Sequence, residues 1–181
     1  MNRVAAFAVV MGVHLLAAGA MAADYHDLPA KELTAIAQKG EFQAQMDLAD
    51  RLANGRGVKR DLATAFKWYK KAAEQGLAEA QFQVGMLLEL GRGIEQDSKQ
   101  AVEWFKIAAE QHHVPAQLAL GEAYHKGLGV ERDDAEAARW FKGPAEAGEA
   151  AAQVALGRLR RNGTGIEQSA AEAERWFRAA A

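Results

Sequence analysis

Between residues 44 and 52, apolar or small side chains stand at Ala44, Leu48, Ala49 and Leu52. This spacing of four, one and three lies along one helical face. Gly55 and Gly57 follow, and glycine readily takes the backbone conformations that end a helix and reverse the chain. A second run opens at Asp61, whose side chain can accept an orphan backbone N–H as an N-cap. It carries Ala65, Trp68, Tyr69, Ala72 and Ala73 on one stripe and stops at Gly76. The adjacent alanines at its end predict close approach of a neighbouring helix, so residues 41–76 read as a helical hairpin.

The hairpin recurs without slippage. Trp68, Trp104, Trp140 and Trp176 are each 36 residues apart, as are Gly55, Gly91, Gly127 and Gly163, and Gly57, Gly93, Gly129 and Gly165. Ala44-Gln45 returns as Ala80-Gln81, Ala116-Gln117 and Ala152-Gln153, and the cap at Asp61 returns as Asp97, Asp133 and Ser169. The units are 41–76, 77–112, 113–148 and 149–181. A hairpin this small cannot bury its own apolar face, so neighbours must stack on it. The expected fold is all-α, an α/α superhelical solenoid. Within residues 23–40, Leu33, Ile36, Ala37 and Gly40 stand 36 positions before Tyr69, Ala72, Ala73 and Gly76, which predicts a worn capping helix ahead of the first unit. Gly143-Pro144 in the third unit predicts a kink or an early helix end near Trp140, since proline lacks an N–H and crowds the preceding turn. His112 stands where Gly76 and Gly148 stand, and Arg160 where Leu52, Leu88 and Tyr124 stand.

Composition narrows the functional classes. The formal charge is −2, with basic and acidic residues alternating throughout, which gives no phosphate-binding face and argues against nucleic acid. Residues 1–22 differ from the rest. Arg3 is followed by an apolar run from Val4 to Ala18 and the small-x-small ending Ala20-Met21-Ala22, the pattern of a secretory signal peptide cleaved after Ala22. That run is about 15 residues, short of the roughly 20 needed to span hydrocarbon. The expectation is a periplasmic or secreted protein with no membrane span after cleavage. It has no cysteine, so packing alone must stabilise it.

The unit from Ala44 to Gly76, with its paired glycines, the Trp68-Tyr69 pair and the closing Ala72-Ala73-Glu74-Gln75-Gly76, resembles the Sel-one-like repeat family. The resemblance covers essentially the whole mature chain. It implies a tetratricopeptide-like solenoid that acts as an adaptor in bacterial envelope, virulence or signalling assemblies. It also raises two alternatives: a periplasmic immunity protein against a secreted toxin, and a β-lactam-binding or cell-wall-binding hydrolase related to cysteine-rich members. This chain lacks those cysteines and lacks Ser-x-x-Lys, so it reads as a non-enzyme.

Nearly every distinctive residue is used by the repeat, so little is left for catalysis, and no cofactor or metal is expected. His112 and His113 are adjacent and cannot share a helix face as an i, i+4 metal pair would. The Gly-x-Gly pairs follow helices and recur as turns, unlike phosphate loops. The tryptophans and the aromatics after them read as a repeating interior. If the first helix of each unit lines the inner curve, as the resemblance implies, the partner-binding positions are Met46, Asp50 and Asn54; Phe82, Met86 and Leu90; Leu118, Glu122 and Lys126; and Val154, Arg158 and Asn162. Met46, Phe82, Leu118 and Val154 form an apolar track that could take a protein segment or could instead pack against the next hairpin. Phe82, Met86 and Leu90, at i, i+4 and i+8, form the strongest local patch, with Phe82→Glu as its probe. The lining runs from Asp50 and Glu122 to Arg158 and Arg161, selecting a partner with both basic and acidic ends. Trp176, Phe177 and the alanines up to Ala181 offer a second surface, for a homodimer.

Overall fold

The repeating stripes fold as the spacing predicts. The computed structural model describes residues 25–181, and the signal peptide expected over residues 1–22 lies outside the described residues. All regular elements among the described residues are helices. A nine-residue helix, α1 (Ala30–Gln38), precedes four hairpins: α2 (Phe42–Asn54) with α3 (Leu62–Glu74), α4 (Ala78–Leu90) with α5 (Ser98–Glu110), α6 (Val114–Lys126) with α7 (Asp134–Glu146), and α8 (Ala150–Asn162) with α9 (Ala170–Ala179). Each helix packs on the one before and the one after it, so the core is a chain of nearest-neighbour seams. α1 serves as the capping helix, with Leu33 and Ala37 fully buried against Ala44 and Leu48.

The caps form where the sequence places them. Asp61, Asp97 and Ser169 accept from the backbone N–H of Thr64, Gln100 and Glu172, and Asp133 accepts from both Ala135 and Glu136. Gly55 ends α2 in the left-handed region at φ 73°. In the second, third and fourth loops the second glycine, Gly93, Gly129 and Gly165, has a different task. A Cβ on Gly129 would stand 2.1 Å from the carbonyl oxygen of Ser98, at the start of the previous unit's second helix. The loop therefore lies directly on the preceding unit, and the repeat spacing depends on that contact.

The repeated glutamine is a joint. Gln45, Gln81, Gln117 and Gln153 each donate through Nε2 to a carbonyl of the helix before their own, namely Ala37 in α1, Ala73 in α3, Ala109 in α5 and Ala145 in α7. Gln75 and Gln111 in turn donate to Oε1 of Gln45 and Gln81. Ala147 stands at the equivalent place in the third unit and has no amide to give.

Two expectations need correction. Pro144 does not shorten its helix: α7 has the same 13 residues as α3 and α5. Gly143 explains this, because without a Cβ it does not clash with the proline ring and can stay helical. Pro144 sits buried at the place of Ala72 and Ala108. The tryptophans are only half-buried, and the aromatic after each of the first three goes deeper: Tyr69, Phe105 and Phe141 are 1–3% exposed.

For the phenylalanines, the fit depends on a mid-helix glycine outside the 36-residue set named above. Gly85, Gly121 and Gly157 lie under the rings of Phe105, Phe141 and Phe177, where an added Cβ would come within 2.5–2.6 Å of ring carbon. The first unit has Ala49 in this position and Tyr69 as its aromatic, whose hydroxyl reaches out to donate to Asp50.

Candidate binding surface

The first helices of the central units are covered almost all round. Leu90 is the one exposed residue of α4, whereas α5 exposes Lys99, Gln100, Glu103, Lys106, Ile107 and Glu110. A helix flanked on both sides is expected to carry apolar residues around much of its circumference, and α4 does, with Phe82, Val84, Met86, Leu87, Leu88 and Leu90 beside Glu79, Gln81, Gln83 and Glu89.

The predicted positions lie on these first helices and become more open toward each C-terminus. Met46, Phe82, Leu118 and Val154 are half-buried, and Asn54, Leu90, Lys126 and Asn162 are exposed. In between, Asp50, Met86 and Glu122 are half-buried, whereas Arg158 is exposed. Phe82 lies in the seam between units. Its ring centroid is 5.8 Å from that of Phe105 in its own unit and 5.3 Å from that of His113 at the start of the next. Phe82 therefore contributes to packing, and Phe82→Glu would disturb the seam itself. Leu90, 46% exposed, is the better probe of the same patch.

The polar positions are engaged locally. Asp50 accepts from the Tyr69 hydroxyl at 2.7 Å, and burial raises its carboxyl above the usual range despite that bond. Asn54 donates to the Asp50 carbonyl, and Glu122 pairs with Lys126 at 2.6 Å. Burial likewise raises Glu89, with the Glu122 charge adding to it and Lys126 opposing it. Glu122, Arg158 and Asn162 share a small crevice of about 180 Å³ with His125 and Arg132. There His125 and Arg132 both bind the Asp134 carboxylate; burial acts to raise it, but these two partners hold it below the ordinary range.

The histidines have structural places. His112 occupies the left-handed region at φ 62°, where its equivalents are glycine. His113 caps α6, with Nδ1 accepting from Ala116 and Nε2 2.9 Å from Glu79. No group of three or more His, Cys, Asp or Glu among the described residues is arranged to hold a metal ion, and no helix among them is long and apolar enough to cross a membrane.

Arg51 had no sequence signal. It is 7% exposed, and its guanidinium donates to the carbonyls of Tyr25, His26 and Leu28 at 2.6–2.7 Å. Its Nε lies 3.0 Å from Asp47 Oδ2, a charge contact without hydrogen-bond alignment. The side chain thus clasps the segment that leads into α1. Leu87, Ala123 and Leu159 hold the equivalent place.

The chain matches the family described as Sel1 repeat over residues 42–77, 78–113, 114–142 and 150–181. It is similar to the crystal structure of a Sel1 repeat protein from Oxalobacter formigenes, at 31% identity and TM-score 0.79, covering 83% of this chain and 62% of that one. It is also similar to c5321, a protective antigen of uropathogenic Escherichia coli strains displaying an SLR fold. The identity is 30% and the TM-score 0.71, over 85% of this chain and 41% of that one. Helicobacter pylori cysteine rich protein B shares the fold alone, at 18% identity and TM-score 0.56, over 71% of this chain and 97% of that one. The chain thus spans less than two thirds of the length of the first two. Among curated proteins, none matches.

Proposed function

The chain belongs to the Sel1 repeat family, a class of scaffolds suited to protein–protein interaction, and from that premise we propose that it is an exported adaptor that holds a protein segment along its first-helix surface. The observation that carries this reading is the Phe82, Met86, Leu90 stripe, which rises from a packed seam to a 46% exposed leucine on an otherwise covered helix. An exposed apolar end continuous with a rigid seam suits the apolar face of an amphipathic helix. The charges beside it, acidic in the first units and basic at Arg158 and Arg161, orient that guest. Export rests on residues 1–22, whose charged start, apolar run and Ala-x-Ala ending have the composition of a signal peptide.

The test is a capture experiment from periplasmic extract. Tagged wild type retains a partner that Leu90→Glu loses, while circular dichroism of the two proteins superimposes. Equal retention by Leu90→Glu and Met86→Glu overturns the assignment of the surface. N-terminal sequencing of the exported protein reads Ala23 if cleavage follows Ala22, and an intact Met1 in the cytoplasmic fraction overturns export.

A further inference from the structure

On the opposite side of the last two units, a cavity of about 510 Å³ opens between α7 and α9. Its origin is visible position by position. In the first seam of this kind, the matching places hold Phe66 and Leu88; in the second, Val102 and Tyr124. All four pack against the core. In the third seam they are Ala138 and Arg160, so one filler has lost its bulk and the other has become a cation.

The rim changes in the same direction. Facing rim positions hold Lys67 with Glu103 in the first seam and Glu103 with Arg139 in the second, opposite charges in both. In the third they hold Arg139 and Arg175, two cations lining one cavity. Arg139 pairs with Glu136, Lys142 lies 3.9 Å from Glu146, and Arg160 pairs with Glu172, whereas Arg175 has no partner among the described residues. Beneath the rim the walls are Leu156, Ile166 and Trp176. Glu146 and Glu172 also line the cavity, but Arg139, Lys142, Arg160 and Arg175 outnumber them, and an apolar, partly enclosed floor under a rim of net positive charge is complementary to an apolar body that ends in an anion.

We infer that this cavity is a binding site for a carboxylate carried on an apolar chain, with Arg175 receiving the carboxylate and the space above Ala138 receiving the chain. The carboxylate could belong to a free acid or to an apolar peptide C-terminus, which present the same chemistry. This site is independent of the first-helix surface.

Calorimetry on the purified protein with decanoate, and with a short apolar peptide bearing a free C-terminus, tests the assignment. Saturable one-to-one binding of at least one probe is expected, with decanol and the C-terminally amidated peptide at least tenfold weaker. Whichever carboxylate binds names the source. Ala138→Phe restores the first seam's residue and removes binding at unchanged helicity, and Ala138→Val, the second seam's residue, weakens it. Arg175→Glu weakens it at least tenfold. Absence of saturable binding for both probes, equal binding of the uncharged analogues, or binding that persists in Arg175→Glu and both Ala138 variants overturns the site.

Discussion

Gly85 and Phe105 compete for one space: a Cβ on the glycine would stand 2.5 Å from Cε1 of the ring. Overpacking of this kind in a closed core costs about 1–3 kcal/mol. Gly85→Ala therefore destabilises by that amount, although alanine is the better helix former. Ala49→Gly, at the same place in the first unit, relieves no clash and costs the propensity difference of about 1 kcal/mol together with about 0.8 kcal/mol for the buried methyl it removes. Urea denaturation of the two variants reads the contrast.

The second loop glycines separate contact from conformation. Gly57 and Gly129 have nearly equal φ, 69° and 72°, but a Cβ on Gly57 meets nothing within 4 Å while one on Gly129 meets the Ser98 carbonyl. Gly57→Ala should cost about 1–2 kcal/mol, the left-handed penalty alone. Gly129→Ala should cost more and loosen the joint between the second and third units. A lower m-value or a second transition in its denaturation curve is the expected sign.

Acid titration should show two opposed contributions. The Thr64 hydroxyl, with its backbone N–H, holds Asp61 below the ordinary carboxylate range. The stability this gives is present above the unfolded value of about 3.9 and is lost as pH falls through the lower folded value. Asp50 is raised by burial, so its contribution is complete below the unfolded value and is lost as pH rises through the folded one. Asp50→Asn keeps an acceptor for the Tyr69 hydroxyl and removes the buried charge. It should raise stability at pH 7 by less than about 1 kcal/mol, after screening of a half-exposed group, and leave stability near pH 3.5 unchanged. Thermal melts at the two pH values check this.

Arg51→Met should release the segment clasped by the guanidinium. Hydrogen bonds to a charged donor are worth about 1.5–3 kcal/mol each in such settings, and three carbonyls lose theirs. The expected result is fast amide exchange through residues 25–38 with the four hairpins still protected.

The solenoid was legible because each structural task recurs every 36 positions. Trp68, the caps from Asp61 to Ser169 and the loop glycines each appear four times, and nearest-neighbour packing repeats the same demand. Tasks that occur once were not legible. Arg51 is satisfied by backbone carbonyls of an irregular segment, which leave no side-chain pattern to read. Pro144 read as a helix breaker because its tolerance depends on the single glycine before it. The depth of Phe105 relative to Trp104 was obscured because both share the period, and Gly85, Gly121 and Gly157 were the unused signal. For the binding surface, the period placed Phe82 and Leu90 on one helical stripe, but not the packing of Phe82 between Phe105 and His113.

The glutamine joint has an evolutionary consequence. Gln81 meets the Ala73 carbonyl just as Gln117 meets that of Ala109. A block of one period can therefore be duplicated or excised with both cut ends finding familiar neighbours. Such a gene can change its reach in single recombination steps, and the crevice between α7 and α9 would travel with whichever pair of units inherits its alanine and arginine.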